Sequence, residues 1–380
     1  MPLYPAFLAL LYDPHWTDPE FFDHAKAQNI RLSILLLVTI GSVVYMRLPP
    51  IAATNVVLIL TFGIFIFKAG YAQSELLFYT FFFLSFVAMW HWLEARATRV
   101  ADGGGAGVLA ALAHLTKAAM LPFVCVGLAV YSGAAVVEYA RSKSLAQLGW
   151  RAVQTGAFTL SFLLVLTPYL ITSKRLTGDY FYNLGTSVVV WFDSWPQAAV
   201  AIQTYQPNGW PPGPRSMRPG LRKYLTEHTV GQIVARFESG FMDMIVRSYA
   251  TFWYLKYLTI YAMVGLTLAV GCWHDFVAIL RIHRTLAIFL LLYGIVYLAA
   301  TAFYAPSSGT GTTRFLLAHV APFLFATSRL FSVQAFQRWS RSVAGVTVTL
   351  THVQLFVTAT VGFDLVFTLW NRLLTTYGGF

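Results

Sequence analysis

The chain has 380 residues, of which 57% are hydrophobic and only 11% are charged, and its formal net charge at pH 7 is +11. Since ordinary soluble domains carry about 25% charged residues, this composition excludes a soluble globular protein and indicates a multi-pass membrane protein. The positive charge does not indicate nucleic acid as a partner, because such proteins collect Lys and Arg in their cytoplasmic loops. Cys125 and Cys272 lie in apolar runs without CxxC spacing. They predict two inert core residues and neither a disulfide framework nor a zinc site.

Nine apolar stretches are long enough to cross a membrane. They lie at about residues 31–46, 51–67, 76–93, 118–137, 152–172, 256–273, 286–304, 314–331 and 342–363. A tenth stretch, 106–116, would be roughly 16 Å long as a helix, against a hydrocarbon core of about 30 Å. The sequence therefore predicts an all-α, polytopic helical membrane protein with nine to ten membrane segments, organised as one domain over residues 1–380.

Basic residues on alternate connections orient the chain, because cytoplasmic loops carry an excess of Lys and Arg. These residues are Arg141, Lys143, Arg151, Arg281, Arg284, Arg338 and Arg341. If their loops face the cytoplasm, segment 1–30 and the loop region 173–250 face outside. Aromatic residues of that loop region are predicted to line a groove at the membrane surface. They are Tyr180, Tyr182, Trp191, Trp195, Tyr205 and Trp210.

Both external regions are predicted to carry helices that lie on the membrane surface. In segment 1–30 this helix is predicted for the apolar run that opens the chain, MPLYPAFLALLYDPHW (1–16), which is too short to span a membrane. The sequence TDPE (Thr17–Glu20) then marks a further helix start, with Asp18 as N-cap and Glu20 completing a capping box. The alternative interpretation makes Asp18 and Glu20 catalytic carboxylates. In the loop region, 228–250 is predicted to form an amphipathic helix. Its apolar face would consist of Ile233, Phe237, Phe241, Met244 and Ile245.

No motif of a soluble enzyme is present in the chain. The glycines at 103–105 lack the Gly-Lys-Ser/Thr of a phosphate loop and are interpreted as a flexible cytoplasmic turn. His91, His114 and His352 are interpreted as polar residues that face other helices. No metal site and no certain cofactor are predicted, and the participation of a divalent metal is left open.

Cationic residues on the outer side are the feature that indicates function. Lys117 and Arg314 each immediately precede a predicted span, where a cation opposes the helix dipole unless an anion lies between them. Lys174 and Arg175 add charge at the outer end of span 152–172. The alternative is that these cations bind lipid headgroups and that the hydroxyls of 305–313 cap a helix. Recurrence on one face favours a shared anionic ligand, such as a phosphate.

Five stretches, in order, resemble the multi-pass GT-C glycosyltransferases, especially bacterial relatives of the protein mannosyltransferases and of the aminoarabinose transferase. They are PLYPAFLALL (2–11), AQSELLFYTFFFLSF (72–86), GVLAALAHLTKAAMLPF (107–123), TPYLITSKRLTGDYFYN (167–183) and TRFLLAHVAPFLF (313–325). The resemblance covers most of the chain, although each motif is loose. It implies transfer of a sugar, with inversion, from a polyprenyl-phosphate donor to a glycan, lipid or protein acceptor outside the bacterial inner membrane.

The resemblance also implies a set of substrate-binding residues. Lys117 and Arg314 occupy the LTK and RF positions and would contact the donor phosphate. The same stretches add Glu75, Lys174, Arg175 and His319 as candidates.

One departure from that family concerns catalysis. Its catalytic aspartate lies in the first external loop, after a first span and before the PLYP helix, whereas here Met1 directly precedes that helix. The expectation is an N-terminally truncated or inactive copy. The external carboxylates that remain are Asp13, Asp23, Glu75 and Asp193, and none is favoured as a base. A membrane transporter or lipid flippase is the alternative, and it would require ionisable groups at mid-membrane.

Overall fold

The computed structural model describes residues 1–94, 99–205, 219–251, 255–308 and 312–377. Its helices are α1 (Leu3–Ala9), α2 (Asp18–Arg47), α3 (Pro50–Leu60), α4 (Ile66–Ala69), α5 (Glu75–Leu93), α6 (Val100–Thr116), α7 (Leu121–Ser142), α8 (Leu145–Thr177), α9 (Leu184–Ser187), α10 (Trp195–Tyr205), α11 (Leu221–Glu227), α12 (Val230–Thr251), α13 (Leu255–Gly271), α14 (Trp273–Ile282), α15 (Arg284–Ser308), α16 (Thr312–Leu317), α17 (Val320–Phe331), α18 (Gln334–Gln337) and α19 (Leu350–Tyr377). A π-helical turn at Thr61–Phe65 and 3₁₀ turns at Ala118–Met120 and Val189–Trp191 complete the helical structure. The strands β1 (Ser340–Val343) and β2 (Val346–Thr349) form one antiparallel hairpin.

Seven helical segments of the described chain are long and apolar enough to cross a membrane. They are Asp18–Arg47, Pro50–Ala69, Glu75–Leu93, Ala118–Ser142, Leu145–Thr177, Arg284–Ser308 and Leu350–Phe367. An eighth span results if α13 and α14, which meet at an angle of 100°, are counted together. The protein is therefore a helical, multi-pass membrane protein.

The predicted span 314–331 is not one helix, because it divides into α16 and α17 on either side of Ala318 and His319. Pro322 lies in the first turn of α17. Proline has no N–H, and its ring clashes with the carbonyl group four residues earlier, so a helix cannot continue from residue 318 through residue 322 without disruption.

The predicted span 342–363 begins later than expected, because residues 340–349 form the β1–β2 hairpin. Val346 and Val348 are β-branched residues that alternate with threonines along β2. The two turn residues, Ala344 and Gly345, have φ values of 51° and 80°. Positive φ at both central residues is the hairpin geometry that matches the twist of the strands.

The predicted helix start at TDPE is confirmed, but its N-cap is Thr17 and not Asp18. Thr17 Oγ1 accepts a hydrogen bond from the Glu20 N–H, and Glu20 Oε2 accepts one from the Thr17 N–H at 2.8 Å. This capping box accounts for Glu20, which supports the structural interpretation of that carboxylate over the catalytic one. Residues 18–30 belong to α2, so α1 is the one helix described wholly within segment 1–30.

The chain divides into two compact units. Unit 1 consists of Met1–Leu10, Leu84–Thr251 and His283–Leu317, and unit 2 consists of Leu11–Phe83, Phe252–Ile282 and Ala318–Phe380. Both cysteines are free, but Cys125 is exposed, so the prediction that it is a core residue was wrong.

In unit 1, close packing of α6 on α8 depends on glycine. A Cβ on Gly103 would lie 2.7 Å from the Gln154 carbonyl oxygen, and one on Gly107 would overlap Ser161 Oγ and the Phe158 carbonyl. Small residues four positions apart allow two helix backbones to approach in this way. The interpretation of 103–105 as a flexible turn was therefore wrong, because these glycines lie within α6.

In unit 2, α19 packs on α3 through a buried polar contact. The Asn55 side chain is fully buried. Its amide donates to the Gln354 carbonyl oxygen at 3.1 Å, and its oxygen accepts from Thr358 Oγ1 at 2.7 Å. These bonds fix the facing positions of the two helices, because a buried amide without partners would be destabilising.

Candidate functional site

Lys117 lies at the junction between α6 and α7 in unit 1. Its backbone is extended, with φ −150° and ψ 135°, and it ends α6 because Thr116 is the last helical residue. Its Nζ lies 5.6 Å from the centroid of the Phe315 ring. Phe315 belongs to α16 and in turn contacts Tyr304 of α15 edge-on, with centroids 5.6 Å apart. The structure therefore brings Lys117 to α16, which also carries Arg314.

Arg314 is exposed and lies inside the short helix α16, not immediately before a span as predicted. Because it is the neighbour of Phe315 in sequence, it belongs to the same element that Lys117 contacts. Two cations that are nearly 200 positions apart in sequence thus lie on adjoining elements of unit 1.

Lys174 and Arg175 occupy the last turn of α8. Lys174 Nζ donates to the Gly178 carbonyl oxygen at 2.8 Å and lies 4.9 Å from the Tyr180 ring centroid. A lysine that binds a carbonyl at a helix C-terminus also complements the helix dipole. This capping contact gives Lys174 a structural role, while Arg175 is exposed.

Glu75 and His319 belong to unit 2. Glu75 is 4% exposed in the first turn of α5, and His319 is the N-cap residue of α17. The His319 ring lies 4.9 Å from the ring of Phe82, which is seven residues after Glu75 and so on the same face of α5. Glu75 therefore lies on the same side of α5 that the His319 ring contacts.

Among the carboxylates predicted to be external, Asp13 and Asp23 make local contacts. Asp13 Oδ1 accepts from the His15 N–H at 2.9 Å, and Asp23 pairs with Lys26 at 3.0 Å.

Asp193, in contrast, belongs to a network of three segments in unit 1, which we call the Asp193 network: Asp193, Tyr224, His228 and Arg236. Asp193 Oδ1 accepts from Arg236 Nη1 at 3.0 Å and from the Tyr224 hydroxyl at 3.2 Å. Its Oδ2 accepts from His228 Nε2 at 2.8 Å.

Arg236 is the centre of the Asp193 network, with a side chain that is 5% exposed. Its Nε donates to the Phe303 carbonyl oxygen at 2.9 Å, and its Nη2 donates to the Val190 carbonyl oxygen at 2.7 Å. The guanidinium carbon also lies 4.1 Å from the Phe303 ring centroid. Since Phe303 belongs to α15 and Val190 to the turn at 189–191, Arg236 joins α12 to two other segments of unit 1.

Electrostatics argue against Asp193 as a general base. Burial alone would raise the pKa of Asp193, but the hydrogen bond from His228 and the charges of His228 and Arg236 hold it below its ordinary value. The hydrogen bond to Asp193 raises the pKa of His228. A carboxylate whose two oxygens are both engaged, and whose pKa is lowered, is a weak proton acceptor.

The predicted amphipathic helix over 228–250 is confirmed as α12, and its predicted apolar face packs in part within unit 1: Met244 is buried, and Phe237 contacts Phe303 with ring centroids 5.3 Å apart. Gly240 lies against the Ala302 carbonyl of α15, and Arg236 is also buried. Phe241 and Ile245, which were assigned to the apolar face, are exposed.

The aromatic residues expected to line a groove differ in how far they are buried. Trp191 packs on Tyr224 with ring centroids 6.0 Å apart, whereas Tyr180 and Trp195 are exposed. Trp210 lies outside the described residues.

His114 is a second feature that the sequence did not distinguish. It lies on α6, three residues before Lys117, and is 1% exposed. Neither ring nitrogen has a hydrogen-bond partner in the described part of the chain. Three aromatic rings surround the imidazole: Phe162, Tyr169 and Phe181.

The described ranges contain no group of three or more His, Cys, Asp or Glu side chains that could hold a metal ion. No family model, no curated protein and no solved structure matches this chain. The interpretation of function therefore depends on the geometry of the two units and on the sequence.

Proposed function

We propose that this protein is a GT-C-type glycosyltransferase of the bacterial inner membrane that binds a polyprenyl-phosphate sugar at the outer face. The observation that supports the proposal is the contact between Lys117 Nζ and Phe315, which adjoins Arg314. One phosphate can be shared only by cations that lie within a few ångströms of it. The proposal is supported by the position of Lys117, at a helix junction in contact with the helix that carries Arg314.

The reaction would be displacement at the anomeric carbon of the sugar. A hydroxyl or amine of a glycan, lipid or protein acceptor forms the new bond to this carbon, and the bond from carbon to the phosphate oxygen breaks. The electron pair of the broken bond stays on the leaving polyprenyl phosphate, and the acceptor proton passes to a base. Lys117 and Arg314 would stabilise the charge that develops on the phosphate. The proposal assigns the base to no residue of this chain.

Binding of undecaprenyl phosphate to the purified full chain tests this proposal. Replacement Lys117→Ala is expected to weaken binding by about tenfold or more, because it removes a charge-assisted hydrogen bond. Lys223→Ala is the matched control in unit 1, since Lys223 is half-exposed and pairs with Glu227 at 3.8 Å. Equal affinity in the wild type and both variants would reject the site.

A transporter remains the second candidate because of one residue in unit 2. Asp364 lies on α19, three residues before the end of the apolar span Leu350–Phe367, and accepts a hydrogen bond from the Tyr257 hydroxyl. The predicted span ended at residue 363, so the sequence had placed this carboxyl at a span end. Ionisable groups within membrane segments often mark transport pathways. Asp364→Asn is expected to leave undecaprenyl phosphate binding unchanged if the protein is a transferase, whereas a transport activity lost in that variant would favour the alternative.

A further inference from the structure

His114 is a buried polar group whose hydrogen-bonding capacity is unused within the described residues. A neutral imidazole has one nitrogen that donates and one that accepts, so two bonds are left unmade. Leaving a buried polar group without partners is destabilising, and most such groups in native proteins are bonded. The position of His114 therefore requires an explanation other than packing alone.

Aromatic rings form the walls around this imidazole. The ring centroids of Phe162, Tyr169 and Phe181 lie 6.1, 6.2 and 5.8 Å from it, and all three are inclined to it by more than 60°. Apolar and aromatic walls around a few polar groups are the usual composition of a small-ligand site. Aromatic faces with one polar group suit a ligand that has both apolar faces and hydroxyls, such as a sugar ring.

Phe181 lies in the loop of residues 178–183, and Phe162 and Tyr169 lie on α8. Side chains of α8 hold this loop by its carbonyl groups: Tyr169 Oη donates to Tyr182 at 2.7 Å, and Ser173 Oγ donates to Asp179 at 2.6 Å. Lys174 donates to Gly178 in the same way. These three bonds run from side chains of α8 to carbonyls of the loop, so breaking them leaves the backbone hydrogen bonds of the helix intact. The loop that carries Phe181 can therefore lift without unfolding α8.

His114 also lies close to the phosphate contact proposed above. It precedes Lys117 by three residues, about one helical turn, or roughly 5 Å along the axis. The two residues are neighbours along the chain, with Lys117 Nζ at Phe315 of α16 and the His114 ring against α8 and loop 178–183.

We propose that His114 binds a hydroxyl group of the sugar carried by the lipid phosphate, which enters the aromatic site when loop 178–183 lifts. This inference rests on the proposed function and adds a specificity-determining residue to it. A hydroxyl both donates and accepts, so it can satisfy either nitrogen of the neutral imidazole. His114 then distinguishes the sugar-bearing lipid from the bare lipid phosphate.

The test compares the full chain and its variants for binding of undecaprenyl phosphate and of its mannose, glucose and aminoarabinose esters. The wild type is expected to prefer at least one ester over the bare lipid by about fivefold, the size of one or two neutral hydrogen bonds. His114→Phe is expected to bind the bare lipid as the wild type does and to lose the preference for the ester. The same variant should unfold at an equal or higher temperature, because it removes an unbonded buried polar group.

Two further variants show whether hydrogen bonding by residue 114 produces the preference. His114→Leu is expected to lose the preference, whereas His114→Gln, which offers a donor and an acceptor, is expected to keep part of it. His91→Phe on α5 is the matched control and should keep the full preference. A preference that survives His114→Phe or His114→Leu would overturn the inference.

The outcomes separate this inference from the proposed function. Lys117→Ala is expected to weaken binding of the bare lipid and of the esters alike, whereas the His114 variants should affect the esters alone. If the wild type binds bare lipid phosphate but shows no preference for any ester, His114 has no sugar-binding role and the phosphate site stands. If the wild type binds neither, the proposed function fails and the His114 inference fails with it.

Discussion

His228 Nε2 lies 2.8 Å from Asp193 Oδ2, while Nδ1 of the same ring lies 2.9 Å from the Tyr224 carbonyl oxygen. A carbonyl and an ionised carboxylate can only accept hydrogen bonds, so both ring nitrogens must carry protons. The geometry therefore selects the imidazolium form of His228, in agreement with the raised pKa that its bond to Asp193 produces.

Stability is predicted to fall as the pH rises through the raised pKa of His228. The pair contributes fully below the ordinary histidine pKa of 6.5, and the contribution is lost above the folded-state value. At the acid end, it is lost as the pH falls through the lowered pKa of Asp193, below the ordinary 3.8. Thermal unfolding in detergent between pH 5 and 9 should show a decrease of roughly 2 °C across this transition.

The control for this prediction is a second histidine. His228→Gln should abolish the decrease, whereas His15→Gln, at an exposed position of unit 2, should preserve it. An unchanged pH profile in His228→Gln would contradict the assignment.

Arg236→Met is predicted to destabilise unit 1 by about 3 kcal/mol. The variant leaves the carbonyls of Val190 and Phe303 and one oxygen of Asp193 without their charged donor. Chemical denaturation followed by tryptophan fluorescence measures the loss, with exposed Arg222→Met as the control. A loss equal to that of the control would show that the Asp193 network does not hold these segments of unit 1 together.

Gly107→Ala is predicted to destabilise the contact between α6 and α8 by about 1–3 kcal/mol, because the new methyl group overlaps Ser161 Oγ and the Phe158 carbonyl. Gly105→Ala on the same helix is the matched control, since its Cβ would have nothing within 4 Å. It should stabilise the protein by about 0.5–1 kcal/mol through helix propensity. Similar unfolding temperatures for the two variants would exclude close packing at Gly107.

Membrane orientation provides a fourth prediction. A reporter fused after Leu145 should be cytoplasmic and one fused near residue 212 should be external, because Arg141, Lys143 and Arg151 hold their loop inside. If the first reporter were external and the second cytoplasmic, Lys117 and Arg314 would lie on the wrong side of the membrane for an external donor phosphate.

Long apolar runs were sufficient to predict most of the helices, because burial in lipid requires every backbone group to be bonded within its own helix. The exceptions have local causes. Pro322 interrupts the run at 314–331, and two residues with positive φ, Ala344 and Gly345, form a hairpin where a span was expected. Composition alone does not distinguish these cases from an uninterrupted helix.

The candidate site was harder to predict. Lys117 stands out in the sequence because it interrupts an apolar run, and its contact with Phe315 of α16 could not be predicted from local spacing, because the two residues lie nearly 200 positions apart. The Asp193 network carried no such signal, because its members lie 31 to 43 positions from Asp193 and no local spacing relates them. His114 looked like any histidine on an apolar helix until its lack of hydrogen bonds was visible.

If Lys117 and Arg314 share one lipid phosphate as proposed, their contributions to binding are coupled, and a double-mutant cycle on undecaprenyl phosphate binding measures this coupling. If the two cations contact the same phosphate, the loss in Lys117→Ala/Arg314→Ala will differ from the sum of the single losses by at least about 0.5 kcal/mol. Losses that add to within about 0.3 kcal/mol, or no loss in either single variant, would contradict a shared site.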